Sequence, residues 1–136
     1  MQEEIKLTRL FHRPPQDVWE YLTKPELLEL WLGPTDFQPI PGYKFRFISP
    51  YGNHSYCEVL EVKPFTRLSY SWQKNSTQDG KPFNSKVAWT LIPKDSGTEL
   101  QLVHNGFTAL ADYLANNNGW NTCLQLLESI TNAKAI

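Results

Sequence analysis

From Ile5 to Phe11 the chain alternates, with Ile5, Leu7, Arg9 and Phe11 on one side and Lys6, Thr8 and Leu10 on the other. That period of two is imposed by a strand with one buried face. Pro14-Pro15 stops the strand and opens a helix, because a proline is tolerated in a first helical turn; Asp17 suits the positive end of the dipole, and Val18, Trp19 and Leu22 face one way. Pro25-Glu26 opens a second short helix by the same rule, with Leu27, Leu28, Leu30 and Trp31 as its apolar stripe and Gly33-Pro34 as its stop. The period then returns to two in five runs, over residues 43–48, 56–63, 67–73, 85–92 and 98–105. Between them stand Ser49-Pro50-Tyr51-Gly52-Asn53, then Pro64, then the polar stretch 75–82, then Pro93-Lys94-Asp95-Ser96-Gly97. Connections this short predict antiparallel neighbours and so a meander.

In the last third Trp120, Cys123, Leu124, Leu127 and Ile130 recur at three and four, with Asn121, Gln125, Glu128 and Asn132 between them. This is an amphipathic helix with one buried stripe. Asn116-Asn117-Asn118-Gly119 predicts its start, with residues 108–115 as an irregular or short helical approach. The order of elements predicts an α+β fold: a curved antiparallel six-stranded sheet wrapped on a long C-terminal helix, with two short helices after strand one. Only the terminal helix is long enough to cover the sheet's apolar face. A curved sheet and a straight helix leave space between them, and a ligand cavity forms there.

Composition narrows the function. The 136 residues make one domain, 1–136, large enough for its own core. Hydrophobic residues at 40%, with the seven glycines added, reach the range of folded soluble chains. Thirteen Lys and Arg against fourteen Asp and Glu give a net charge of -1, which argues against nucleic acid as a partner. The acidic start Met1-Gln2-Glu3-Glu4-Ile5 is unlike a secretory leader, and no apolar run approaches the ~18 residues of a membrane span, so a cytoplasmic protein without membrane contact is expected. Cys57 and Cys123 lack the close spacing of a zinc site or redox dithiol and are expected to be buried thiols, with no metal and no cofactor. Five Trp, six Tyr and seven Phe, 13% of the chain, are enough rings to line a cavity or to thicken a core.

On the strands Leu68, Tyr70 and Trp72 share a face, as do Val87, Trp89 and Leu91, and Leu100, Leu102 and His104. Taken as the concave face, they look toward Trp120, Leu124 and Leu127 on the helix. The candidate ligand-binding set is therefore Trp31, Tyr70, Trp72, Trp89, Leu102, His104, Trp120, Leu124 and Leu127. The alternative is that the same rings pack the core. His104, the one histidine on the inner face, is the only catalytic candidate, as a general base or as a donor to a ligand carbonyl; the alternative is a hydrogen-bonded core histidine. His12 and His54 fall at strand edges. Arg9, Arg46 and Glu58 change face with a one-residue shift of register, and whichever turns inward needs a partner and would anchor the pocket. There is no phosphate loop, nucleophile elbow, zincin helix or dinucleotide fingerprint.

Several pieces carry a resemblance when taken in order: Arg13-Pro14-Pro15-Gln16-Asp17-Val18-Trp19, Trp31-Leu32-Gly33-Pro34, Pro41-Gly42-Tyr43, and Glu58-Val59-Leu60-Glu61-Val62-Lys63-Pro64 with Leu68 and Trp72. They continue with Gly97-Thr98-Glu99-Leu100, His104-Asn105-Gly106-Phe107, and Gly119-Trp120 with Leu124 and Leu127. Together they resemble the START-like (SRPBCC, helix-grip) superfamily, and within it the group similar to the C-terminal domain of the activator of heat shock protein 90 ATPase. The resemblance covers essentially the whole chain. The sequence departs from the family's usual pattern at Gly42-Tyr43, where two glycines are common, and at Leu32, where a second aromatic is usual. The resemblance implies a helix-grip fold and a small hydrophobic or aromatic ligand between sheet and terminal helix. An alternative is a protein-interaction or co-chaperone-like module, although much of the chaperone contact of the family's co-chaperone belongs to a separate N-terminal domain not among these residues. A further alternative is a polyketide cyclase/dehydratase-like enzyme with His104 as base. Either a monomer or a homodimer, paired for example through the first strand, is compatible with this reading.

Overall fold

The computed structural model describes residues 3–48, 54–75 and 82–133. Two of the expected turns, over 49–53 and 76–81, lie outside them. The elements are β1 (Glu3–Phe11), α1 (Pro15–Thr23), α2 (Pro25–Trp31), β2 (Lys44–Ile48), β3 (His54–Lys63), β4 (Arg67–Asn75), β5 (Pro82–Lys94), β6 (Gly97–Phe107) and α3 (Leu110–Ala133). The architecture is the expected helix-grip: one antiparallel sheet in the order β1-β6-β5-β4-β3-β2, with α3 packed across β1, β6 and α2. The meander runs through β2 to β6. β1 lies at the far edge beside β6, with Ile5 opposite His104 and Leu7 opposite Leu102. Consequently α1 and α2 carry the chain from one edge of the sheet to the other.

The prolines work as expected. Pro15 and Pro25 stand in the first turns of α1 and α2, with Asp17 and Glu26 at the positive ends. Val18, Trp19, Tyr21 and Leu22 bury the inner face of α1, while Leu28 and Trp31 bury that of α2. The β2 edge is closed by the segment before it. Thr35 bridges Phe47, its Oγ1 donates to the Arg46 carbonyl at 2.7 Å, and Asp36 Oδ1 accepts the Arg46 N–H at 3.0 Å. This occupies groups that an open edge would offer to another chain. Between Val59 and Glu61 the register of β3 against β4 slips, leaving Leu60 as the extra, exposed residue of a bulge that bends the sheet. At Gly97 the β5–β6 turn passes so close to β1 that a Cβ would stand 1.9 Å from the Phe11 carbonyl oxygen, and φ is 151°. No other residue fits there.

Helix α3 corrects one expectation. It begins at Leu110, not in the 116–119 segment, and runs through Asn116, Asn117, Asn118 and Gly119 unbroken. The asparagines are accommodated because polar side chains of this stretch bond back one turn: Asn116 Nδ2 donates to the Asp112 carbonyl at 2.8 Å, Asn121 Nδ2 to Asn117 at 2.9 Å and Thr122 Oγ1 to Asn118 at 3.0 Å. Packing holds the first turns, since Asp112 is buried and Tyr113 sits edge-on to Phe107 at 6.3 Å. Polar clamps fix the helix to β1. Arg9 Nε donates to Glu128 Oε1 at 3.1 Å and Nη2 to Asn121 Oδ1 at 2.7 Å. Arg13 donates from Nη2 to the Thr131 carbonyl at 2.9 Å, a cation on one of the last carbonyls of the helix. Of the two thiols, Cys57 is buried as expected, whereas Cys123 on α3 is only half-buried.

Candidate functional site

Strand alternation brings the sequence-derived candidates together. Tyr70 and Trp72 on β4, Trp89 on β5, and Leu102 and His104 on β6 all turn to the inner face and are buried there. Trp31 from α2 and Trp120, Leu124 and Leu127 from α3 are buried in the same core. The rings interlock at right angles: Trp31 and Trp89 have centroids 5.9 Å apart at 79°, and Trp89 and Trp120 are 5.5 Å apart at 84°. Each such edge-to-face pair adds about 0.5–1.5 kcal/mol to the burial of its surface. Periodicity did not reveal Phe37, which sits in the loop before β2, fully buried and edge-on to Phe45 at 4.8 Å. Nor was Ser85 singled out, although as the one hydroxyl in the inward row Ser85, Val87, Trp89, Leu91 it signals a buried polar partner.

That partner is His104. Trp120 Nε1 donates to His104 Nδ1 at 2.9 Å, and His104 Nε2 lies 2.8 Å from Ser85 Oγ. An indole nitrogen only donates, so Nδ1 must hold the lone pair and the neutral ring carries its proton on Nε2. Ser85 then receives that proton's hydrogen bond and sends its own hydrogen to the Trp72 carbonyl at 2.8 Å. Both ring nitrogens are fully used. Burial, reinforced by the Lys74 cation, pulls the pKa of His104 from 6.5 down to about 3, so the ring stays neutral. The ring thus links Trp120 to Ser85 through both of its nitrogens. Tyr70 is likewise committed: its Oη accepts the Trp89 indole N–H at 2.9 Å, and burial pushes its pKa above the ordinary phenol range.

One polar atom in this interior is left over. Trp31, Trp89 and Trp120 each place the indole N–H on an acceptor, on the Tyr21 carbonyl at 3.0 Å in the first case. Trp72 does not: among the described residues its Nε1 is the single buried side-chain nitrogen or oxygen with no hydrogen-bond partner. Phe47 stacks on the ring at 5.5 Å and 26°, and Tyr70 and Trp120 flank it at 6.3 and 5.5 Å. An orphaned buried donor costs about 1–3 kcal/mol. Arg46 and Glu58 offer no anchor, because both lie on the opposite face of the sheet, where Arg46 is opposite Tyr56 and Glu58 opposite Lys44.

The sequence matches the family model described as Activator of Hsp90 ATPase homolog 1-like protein over residues 12–132. Among solved structures, protein MLL2253 from Mesorhizobium loti is 32% identical, with a TM-score of 0.90 over 96% of this chain and 98% of that one. CalU16 from Micromonospora echinospora is 26% identical, with a TM-score of 0.78 over 93% of this chain and 74% of that one. DynU16, from the dynemicin biosynthetic locus, shares the fold at 21% identity and a TM-score of 0.82; 93% of this chain covers 46% of that longer one. No curated protein matches. Among the described residues no helix is long and apolar enough to cross a membrane.

Proposed function

The chain belongs to the Activator of Hsp90 ATPase homolog 1-like family, and from that premise we propose that it binds a small, flat, ring-containing molecule between the sheet and α3. One observation carries the reading: the Trp72 indole N–H, buried among aromatic faces and without an acceptor. Buried polar groups in folded proteins are paired as a rule, and an exception inside a ring-lined interior calls for an acceptor from elsewhere. A planar molecule with one carbonyl, ether or phenolic oxygen supplies it, its apolar body replacing part of the ring-to-ring packing around Trp72. Trp31, Tyr70, Trp89, Leu102, His104, Trp120, Leu124 and Leu127 form the rest of the proposed site, with His104 as scaffold and not as base. The protein is thus read as a binding module rather than an enzyme. A cytoplasmic setting suits its two unpaired thiols.

Native mass spectrometry of protein freshly purified from its own host, followed by denaturation, tests this without a guess at the ligand. A co-purifying ring-bearing molecule is expected in the wild type. Leu124→Phe, which enlarges a buried side chain of the proposed site, should lose it while circular dichroism shows the fold intact. Equal retention by both proteins would remove the ligand from this site.

A further inference from the structure

The sheet has a second concavity on its other face. A groove of about 430 Å3 runs over β2, β3 and β4, lined chiefly by Lys44, Arg46, Tyr56, Glu58, Ser71 and Gln73. Cross-strand register places these together, with Lys44 opposite Glu58, Arg46 opposite Tyr56 and Tyr56 opposite Gln73. Alternation turns these side chains away from Phe45, Phe47, Tyr70 and Trp72, although Phe45 and Cys57 of the core also border the groove floor. Ser71 makes the depression: its side chain is short, and its Oγ is drawn into the ladder by accepting the Glu58 N–H at 2.9 Å.

Most of the groove's charge is without a counter-charge: Arg46 Nη1 lies 3.4 Å from His54 Nδ1, while the side chains of Lys44 and Glu58 have no partner among the described residues. Opposed residues on antiparallel strands have Cβ atoms about 4.5–5.5 Å apart, close enough for a lysine and a glutamate to pair. Yet among the described residues the ion pairs are made by other side chains, and neither Lys44, Arg46 nor Glu58 takes part in one. Asp36, the other acid of the lining, already holds the Arg46 backbone N–H. The groove thus presents Lys44 and Arg46 along β2, with the Glu58 carboxylate opposite the first and a Tyr56 residue that is 53% exposed opposite the second.

A simple anion would meet Glu58, and a simple cation would meet Lys44 and Arg46. We infer that the groove binds a small zwitterion of the α-amino-acid class with an aromatic or large apolar side chain. Its carboxylate lies toward Lys44 and Arg46, its ammonium on Glu58 and its side chain over Tyr56, with the amides of Gln73 and Asn84 at the rim. Such charge-assisted hydrogen bonds are the strong ones, and a charged partner left without its counterpart is correspondingly costly.

The test is a titration of isotope-labelled protein with L-phenylalanine, followed by amide chemical shifts. Saturable shifts confined to β2, β3 and β4 are expected, with a Kd of about 1 mM or below. Phenethylamine and 3-phenylpropionate, each lacking one charge, should bind about tenfold or more weakly, as should L-phenylalanine to Glu58→Gln and to Lys44→Met. Lys44 is exposed and Glu58 half-buried, and neither side chain has a partner among the described residues, so the fold is little affected by either substitution. The proposal is overturned by an absence of saturable shifts, by shifts centred on the indoles of Trp72, Trp89 and Trp120, or by wild-type affinity in the two variants.

Discussion

Acidification to about pH 5 should destabilise this protein through one buried ring. In the folded state His104 has both nitrogens in hydrogen bonds and a pKa near 3, against 6.5 when the chain is unfolded. Between those two values the unfolded state binds a proton that the folded state refuses, so stability falls as pH falls. The loss begins below 6.5 and levels off only near 3. At about pH 5 the unfolded imidazole is protonated roughly thirtyfold over its neutral form while the folded ring stays neutral, which corresponds to about 2 kcal/mol. Urea denaturation of wild type and His104→Gln at about pH 7.5 and pH 5 isolates this contribution, because carboxylates that also titrate are common to both proteins. Glutamine accepts from Trp120 through its oxygen and donates to Ser85 through its amide, yet has no proton to gain. The stability advantage of the wild type should therefore shrink by about 2 kcal/mol at the lower pH. Parallel pH dependences would refute the reasoning. So would a direct imidazole 15N titration of the wild type with its midpoint near 6, a measurement that stands even if the variant folds poorly.

Gly119 is exposed within α3 and a Cβ there would meet nothing within 4 Å, so Gly119→Ala should raise stability by about 0.5–1 kcal/mol and increase the thermal midpoint by a few degrees. Gly97→Ala should do the reverse, lowering the urea midpoint or preventing folding, because its Cβ would overlap the Phe11 carbonyl. Trp120→Phe and Trp72→Phe delete the same atoms, but the first strands His104 Nδ1 while the second removes a donor that had no partner. Trp120→Phe should therefore be the more damaging by about 1–3 kcal/mol in chemical denaturation, and equal losses would contradict the network as drawn.

The strands, their succession along the chain and the inward rows of rings were legible because a half-buried sheet writes period two into the chain, and turns such as Pro93-Lys94-Asp95-Ser96-Gly97 punctuate it; the place of β1 beside β6 was not. The start of α3 was not, since Leu110 and Leu114 are exposed and the asparagines that normally favour caps are satisfied one turn back within the helix. Phe37 escaped because a loop residue buried by a neighbouring edge leaves no period. The facing of Arg9, Arg46 and Glu58 depended on register, which only the pairings resolve: Arg9 reaches over the edge to Glu128, while Arg46 and Glu58 lie on the far side of the sheet. The solitary donor on Trp72 is a negative fact about surroundings, and no local pattern encodes it.

The Trp72 indole N–H is the most direct witness to ligand binding in the interior. Its resonance, identified by its loss in Trp72→Phe, can be followed in 1H–15N spectra during titration with 2-acetylnaphthalene and, separately, with 2-ethylnaphthalene, which has no acceptor. The account predicts a saturating downfield shift of that one indole with the ketone and a much smaller change with the hydrocarbon. A Trp72 resonance that ignores the ketone, or responds equally to both, would contradict it.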